Sequence, residues 1–551
     1  MTHRPGCRIR TVLAFVVASA TLAAAGELTS VAAAAVPAVP VATADALPAA
    51  ALQLAGLEPM PQPRLGPAGS LTDEITGLSA RLGVGLDAAA VGREVAAARL
   101  GTATESALAT LLVQLRTCDA ATAAMTAATP HEQLVAGLAE PRPADVAAVR
   151  DCAVALRAGL EALRPSFPAS AGAGPLRVWP VLAYSPGDAD DVYVEDYVLL
   201  VDEGGDDVYL NNQGANQIDV KRSVTGAAAR YREPARGCRQ TYPDSVSGRV
   251  VRGPDGSRTP SLDGPECVPS AALLWDRGGN DTYGRLQDPE FPDDLCSAAP
   301  SVARFSTIGA GVEGVGMLVD DAGDDRYTGR TGTMGAGHIG GVGLLEDRAG
   351  NDRYVAMRNA QGLGLLVGIG VLRDDGGDDV YDYYMPAPLD PAAEFHADGS
   401  GGVIDDSGLG SEIGASPNAE DRVGGRCDAT PRSLQGVGIF VAPAVGLLVD
   451  AGGDDLYRAA GYRNQEEGFP TQSGTGLIRF AHGSQGSGYL GGIGVFLDLA
   501  GRDRYVRENH EPAEDRRDGM LAGPQPDLTF DEVGSPTNGR PLDLSVFYDA
   551  E

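Results

Sequence analysis

The stretch QGLGLLVGIGVLRDDGGDDVY, from Gln361 to Tyr381, contains the pattern that decides the fold. An apolar segment with glycines runs into an octapeptide that has aspartate at positions one and six, glycine at position four and tyrosine at position eight. Full copies span residues 202–209, 276–283, 320–327, 347–354, 374–381, 450–457 and 498–505, and a degenerate copy ends at Tyr193. An internal repeat of this kind predicts a fold built by stacking one unit on the next.

The spacing of the tyrosines predicts a parallel β-helix. Tyr327, Tyr354 and Tyr381 are each 27 residues apart, which suits one coil of two or three short strands. The other gaps, of 74, 44, 76 and 48 residues, have most of their excess after the tyrosine. We therefore expect a mainly β protein, a right-handed parallel β-helix (solenoid) of about eight coils with a small N-terminal α-helical domain. A propeller is the alternative, but its blades need about 40 residues or more.

Composition along the chain predicts its organisation. Arg4, Arg8 and Arg10 precede an apolar run ending in three alanines, which indicates a signal peptide over residues 1–25. The Ala/Pro-rich residues 26–66 predict a disordered linker, and helical periodicity predicts an α-helical bundle over 67–165. The repeat domain is expected over 175–510, with loop insertions at 218–268, 285–304, 384–432 and 459–480, and a C-terminal tail over 511–551.

Charge and hydropathy exclude some classes of partner. The chain has 75 Asp and Glu residues against 43 Lys and Arg residues, for a formal net charge of −32. This balance argues against nucleic acid, because phosphates need a basic protein surface. Since no apolar run after the signal peptide is long enough for a transmembrane span, we expect a secreted protein, either extracellular or associated with the cell wall.

Export also predicts disulfide bonds. Six cysteines remain after the signal peptide, namely Cys118, Cys152, Cys238, Cys267, Cys296 and Cys427. An even number in an oxidising compartment indicates three disulfides. Position along the chain favours Cys118–Cys152 in the helical region and Cys238–Cys267 within one insertion, which leaves Cys296 for Cys427. No C-x-x-C pair or nearby histidine supports a zinc site.

The repeated turn predicts a folding device and a calcium site. Glycine permits positive φ, aspartate accepts hydrogen bonds from backbone N–H groups, and each tyrosine can stack on the next. The stretch GGNDTY, from Gly278 to Tyr283, resembles the nonapeptide G-G-x-G-x-D-x-U-x of secreted RTX-type proteins, without its tandem nine-residue period; that resemblance implies calcium binding. The lysine-poor composition also resembles that of uncharacterised secreted actinobacterial proteins with Gly/Asp-rich repeats, which implies no activity.

Charge counting predicts where calcium binds. Stacked carboxylates about 4.8 Å apart repel by roughly 3–4 kcal/mol per pair at an effective dielectric constant near 20. In chain order the turns carry formal charges of −4, −1, −3, 0, −4, −3 and 0, because Arg348 with Arg353, and Arg502 with Arg504, balance two of them. We expect calcium only at the acidic turns, with ligands from Asp202, Asp206, Asp207, Asp320, Asp324, Asp325, Asp374, Asp378, Asp379, Asp450, Asp454 and Asp455.

The sequence assigns no catalytic residue. His338, His396 and His482 all lie outside a G-x-S-x-G context. Because the insertions interrupt the unit at a similar phase, we expect them on one side of the rod, where they would form a binding surface. The leading interpretation is a secreted binding or structural module for a carbohydrate or protein partner. A polysaccharide lyase or hydrolase on the same scaffold is the alternative, and a spacer or adhesin is a third possibility.

Overall fold

The computed structural model describes the central part of the chain together with short segments nearer its C-terminus. The described residues are 46–61, 68–128, 143–168, 172–216, 218–219, 250–252, 258–260, 266–267, 271–284, 307–338, 340–365, 367–383, 438–439, 444–459, 469–470, 477–478, 488–489, 493–507 and 544–549. The predicted signal peptide, Cys238, Cys296, Cys427 and most of the four insertions lie outside these residues, and of Cys267 only the backbone is described.

Helices form the N-terminal part of the described chain. They are α1 Ala46–Leu54, α2 Leu71–Arg81, α3 Ala88–Ala98, α4 Thr102–Ala128 and α5 Pro143–Leu163, followed by a 3₁₀ turn at Arg164–Ser166. The Ser70 hydroxyl caps α2 by accepting a hydrogen bond from Asp73 N–H, and the Asp87 carboxylate caps α3 in the same way. The predicted Cys118–Cys152 disulfide is present and joins α4 to α5.

Helix α1 differs from the sequence expectation, because it lies in the stretch predicted as a disordered linker. Its residues Ala51, Leu52 and Leu54 are buried in the core cluster shared by the helices and strands. Alanine and leucine both favour helix, but a helix this short is marginal in water without tertiary packing. Contacts with α5 and with two distant β-strands supply that packing, and local composition could not reveal them.

Three large sheets form most of the rest of the described chain. The first has strands, in order across the sheet, at Leu176–Val178, Leu182–Ser185, Leu199–Asp202, Ala271–Asp276, Val315–Asp320, Val342–Asp347, Ile369–Asp374, Val445–Asp450, Ile493–Asp498 and Leu544–Asp549. The second has Val192–Tyr193, Val208–Tyr209, Thr282–Tyr283, Arg326–Thr333, Arg353–Ala360, Val380–Tyr383, Leu456–Ala459 and Arg504–Arg507. The third has Gly311–Val312, Gly337–His338, Gly364–Leu365, Gly438–Ile439 and Gly488–Tyr489.

The pairing register keeps equivalent repeat positions side by side. Asp347 pairs with Asp374, and Asp374 pairs with Asp450, although the first interval has 27 residues and the second has 76. All pairings in the three sheets are parallel except the first, between Leu176–Val178 and Leu182–Ser185. The described chain is therefore mainly β, with parallel strands in stacked sheets and a few helices, as the sequence predicts.

Outside these sheets, the described strands form short antiparallel pairs. Ile218–Asp219 pairs with Glu266–Cys267, Val250–Arg252 with Arg258–Pro260, and Phe469–Pro470 with Leu477–Ile478. A further difference concerns the expected C-terminal tail, because its segment Leu544–Asp549 joins the first sheet and Asp549 pairs with Asp498. The apolar hexapeptide LSVFYD is the signal for this strand, since it ends on aspartate as the strands of the first sheet do from Leu199–Asp202 onward.

Both faces of the first sheet are buried. Residues such as Leu274, Leu345 and Phe496 face the second sheet and pack against its tyrosines. The alternate residues, among them Leu273 and Leu344, pack in the cluster that contains the helices. This explains the continuous apolar runs before each turn, because a strand buried on both faces does not alternate apolar with polar residues.

An ion pair crosses the interface between the helices and the first sheet. The Arg157 guanidinium of α5 lies 2.9 Å from a Glu346 carboxylate oxygen, and the two side chains are 3% and 1% exposed. Arg157 also donates to the carbonyl oxygen of Gln53 in α1. One buried side chain therefore ties two helices to a single position of the sheet.

A candidate metal centre in a buried aspartate column

Glycine at position four of each turn allows the repeats to stack closely. A Cβ added at Gly350 would lie less than 3.0 Å from the carbonyl oxygen of Gly323, and one at Gly377 would meet the carbonyl oxygen of Gly350 in the same way. Gly323 and Gly377 also have φ values of +155° and +156°. No L side chain fits this contact, so the requirement for glycine is steric rather than chemical.

The tyrosines at position eight form a continuous stack. From Tyr193 to Tyr457, successive ring centroids lie 4.6 to 5.0 Å apart with interplanar angles of 3° to 11°. The Arg177 guanidinium lies 4.7 Å from the Tyr193 ring centroid and covers the first ring of the stack. The rings are fully buried, which holds every hydroxyl in one line inside the protein.

The aspartate at position one receives two hydrogen bonds. In the 374–381 turn, Asp374 Oδ1 accepts from Gly376 N–H at 2.8 Å, and Asp374 Oδ2 accepts from the Tyr354 hydroxyl at 2.6 Å. The same arrangement links Tyr327 to Asp347. Each position-one carboxyl from Asp202 to Asp450 therefore joins its own turn to the tyrosine of the preceding repeat.

The aspartate at position six is only half satisfied. Its Oδ1 accepts the backbone N–H of the equivalent aspartate one repeat earlier, as in the 2.6 Å bonds from Asp325 to Asp352 and from Asp352 to Asp379. Its Oδ2 is buried and receives no N–H or hydroxyl donor in five successive turns, at Asp281, Asp325, Asp352, Asp379 and Asp455. In four of these turns, those of Asp281, Asp325, Asp352 and Asp455, the position-six carboxyl lies within hydrogen-bonding reach of the position-one carboxyl of its own turn. These five side chains are 1% to 2% exposed, so water does not reach the unpartnered oxygens from bulk solvent.

The aspartates that carry these oxygens belong to clusters of three carboxyl groups. Each cluster combines position six of one repeat with positions one and six of the next, and its ligand atoms lie within 4.8 Å of one another. Five clusters have this composition: Asp207/Asp276/Asp281, Asp281/Asp320/Asp325, Asp325/Asp347/Asp352, Asp352/Asp374/Asp379 and Asp379/Asp450/Asp455. We call this series the aspartate column. All of its members are buried, and the clusters could hold a metal ion.

Burial makes the charged form of these groups costly. It raises the pKa of Asp325 to about 11 and that of Asp379 to about 10, and neighbouring carboxylates add to both shifts. The pKa of Asp352 is raised to about 7 for the same first reason. A buried carboxyl without a donor must therefore take up a proton or bind a cation.

The structure places seven of the twelve predicted ligands in the five clusters and five outside them. The five clusters contain Asp207, Asp320, Asp325, Asp374, Asp379, Asp450 and Asp455 from the predicted set. Asp202 occupies position one of its turn and accepts from the Tyr193 hydroxyl and from Gly204 N–H. Asp206, Asp324, Asp378 and Asp454 occupy position five, are exposed, accept a backbone N–H of the next repeat, and do not belong to these five clusters.

Sequence reasoning did not include four members of the column, Asp276, Asp281, Asp347 and Asp352. Their turns have formal charges of −1 and 0, so charge counting set them aside. The signal that would have found them is positional, because positions one and six keep aspartate in every full copy of the turn whatever the other positions hold.

One histidine lies in a buried position away from the column. His338 is 7% exposed and pairs in register with Val312 and Leu365, both apolar. Burial lowers the pKa of His338 to about 4, and its Nε2 atom has no hydrogen-bond partner. This environment favours a neutral, packed imidazole.

No protein-family model matches the chain, and no curated protein or solved structure is significantly similar to it. Among the residues that the structure describes, no helix combines the length and apolar character needed to cross a membrane. The functional assignment therefore depends on the geometry of the aspartate column and on the repeat pattern.

Proposed function

We propose that this protein is a secreted repeat scaffold that acts as a binding or structural module, built on a right-handed parallel β-helix of about eight coils. The observation that carries this proposal is that the four positions shared by every full copy of the turn all connect one repeat to the next. Position four allows close stacking, position eight forms the ring stack, and positions one and six hydrogen-bond across repeats. Such use of residues is typical of solenoids, in which each unit contacts only its neighbours.

Calcium is the ion we propose for the aspartate column. The clusters offer carboxylate oxygens and no nitrogen or sulfur ligand, and an all-oxygen donor set suits hard cations such as Ca²⁺ or Mg²⁺ rather than Zn²⁺. Thermal unfolding of the purified protein in excess chelator and in millimolar Ca²⁺ tests this proposal. We expect a higher midpoint with Ca²⁺, and identical midpoints would rule out a stabilising ion.

The partner surface is proposed to be the side that carries the insertions. This placement is supported by the repeat spacing, since the longer gaps have their excess after the tyrosine. Loops on a regular scaffold commonly form the binding face of repeat proteins. We expect saturable binding to an immobilised glycan or protein without turnover. Release of unsaturated products from uronic-acid polymers would instead identify a lyase and overturn the proposal of a non-enzymatic module.

A further inference from the structure

Arg348 and Arg353 bring the formal charge of the 347–354 turn to zero, but they do not pair with its buried carboxyls. Arg348 lies 2.5 Å from a Glu161 carboxylate oxygen and 2.7 Å from one of Glu346, at the interface with the helices. Arg353 is half exposed and pairs with Asp382 at 2.9 Å. Formal turn charge is therefore a poor guide to the charge inside the column.

The 347–354 turn buries its two aspartates, at positions one and six, as completely as the acidic turns do. Asp347 and Asp352 are 0% and 1% exposed, like Asp374 and Asp379 in the next turn. Asp352 Oδ2 receives no N–H or hydroxyl donor, and neither does Asp379 Oδ2. Each repeat from the 276–283 turn to the 450–457 turn thus adds two buried carboxyls to the column and leaves one oxygen without such a donor.

Because equivalent positions pair in register, the same carboxyl oxygen lacks a donor in successive repeats. Neighbouring clusters share a position-six aspartate, so Asp325 and Asp352 belong to two clusters each. Two ionised carboxylates per repeat would be neutralised by one divalent cation per repeat, and adjacent carboxylates that remained charged without one would repel strongly in a buried site. A proton shared between the carboxyl groups of positions one and six is the other way to satisfy the same oxygen.

We infer that a hard divalent cation binds at every step of the aspartate column, including the clusters built on Asp281 and Asp352, rather than only at the acidic turns. The inference rests on the proposed cation binding and extends it from selected turns to a continuous series of at least five sites. The unpartnered Oδ2 atoms are the ligands that each step contributes, and the position-one carboxyls complete each cluster.

Ion counting tests the inference. The purified protein is stripped with chelator, reloaded with Ca²⁺, passed over a desalting column and analysed for bound calcium per chain. We expect at least five ions per chain, one for each cluster. Binding of Tb³⁺, followed by luminescence excited through the tyrosines, gives a second measurement on the same sample.

Three variants locate the ions. Asp352→Asn keeps an oxygen that can accept the Asp325 N–H but removes the charge of a residue shared by two clusters, so we expect it to lose one or two ions. Asp379→Asn, in an acidic turn, should lose the same number. Asp378→Asn changes the exposed neighbour of Asp379, outside the five clusters, and should keep the wild-type count.

The outcomes distinguish this inference from the proposal on which it rests. Bound calcium that Asp379→Asn reduces and Asp352→Asn leaves unchanged would overturn the continuous column while leaving calcium at the acidic turns. A wild-type count near zero would overturn both the continuous column and the proposed calcium binding, and would indicate that shared protons satisfy the buried oxygens. If Asp352→Asn does not fold, the wild-type count alone still decides, because binding restricted to the acidic turns gives fewer than five ions.

Discussion

The Tyr354 hydroxyl donates a 2.6 Å hydrogen bond to Asp374 Oδ2, twenty residues later and one repeat further along the stack. Both side chains are fully buried. Tyr354→Phe would keep the ring stack and remove this donor from a buried acceptor. We expect a loss of about 1–3 kcal/mol in the free energy of unfolding, measured by urea denaturation. The Tyr184 hydroxyl contacts the partly exposed Glu203, so Tyr184→Phe should cost less. Equal losses would contradict a special role for the buried bond between Tyr354 and Asp374.

Close stacking at position four makes a second prediction. Gly350→Ala would place a Cβ against the Gly323 carbonyl oxygen, so the two repeats would have to separate. We expect a destabilisation of roughly 3 kcal/mol or more, or failure to fold, since the atom that the Cβ meets is backbone and cannot rotate away as a side chain can. Gly101→Ala is the control, because a Cβ there meets no atom within 4 Å. Similar unfolding midpoints for the two variants would show that the stack tolerates expansion.

The buried ion pair between Arg157 and Glu346, at the interface of the helices with the first sheet, makes a third prediction. Arg157→Met would remove a nearly inaccessible partner of Glu346. Breaking a buried pair typically costs about 3–5 kcal/mol, and because Arg348 still pairs with Glu346, we expect a loss at the lower end of this range. Arg150→Met on the same helix is matched to it, because Arg150 pairs with the exposed Asp151, and such pairs contribute about 0–1 kcal/mol. Comparable urea midpoints for the two variants would mean that Arg157 does not anchor the helices.

His338 gives a prediction about pH. Its pKa is lowered from 6.5 to about 4 by burial, so the unfolded chain takes up the proton more readily than the folded one. The stability contributed by the neutral imidazole is therefore complete above pH 6.5 and is lost as the pH falls through 4. We expect His338→Leu, which copies the aligned Leu365, to reduce the acid sensitivity by up to roughly 3 kcal/mol. Parallel stability–pH curves for wild type and variant would exclude this role.

The sequence predicted the repeated part of the fold because the constraints there are local and periodic. Position four needs glycine and position eight contributes the stacked ring, so both residues recur in every full copy of the turn. Helix α1 and the strand Leu544–Asp549 were missed for the opposite reason. Each owes its structure to packing or pairing with residues far away in the chain.

The candidate site could be predicted only in part. Residue type and position identified seven members of the five clusters, but charge counting left out those of the balanced turns. Formal charge sums every residue in a turn, whereas the fold directs positions one and six inward and places Arg348 and Arg353 against other acids. Which side chains share a buried space is a property of register, which spacing indicates and composition does not.

The central claim is that the aspartate column holds cations, and anomalous diffraction from crystals of the full-length protein grown with Mn²⁺ tests it most directly. We expect a row of anomalous peaks spaced like the tyrosine rings, 4.6 to 5.0 Å apart, including one among Asp325, Asp347 and Asp352. No anomalous density in the column, with the carboxyl groups of positions one and six paired at hydrogen-bond distance, would contradict the claim and show that protons hold the repeats together.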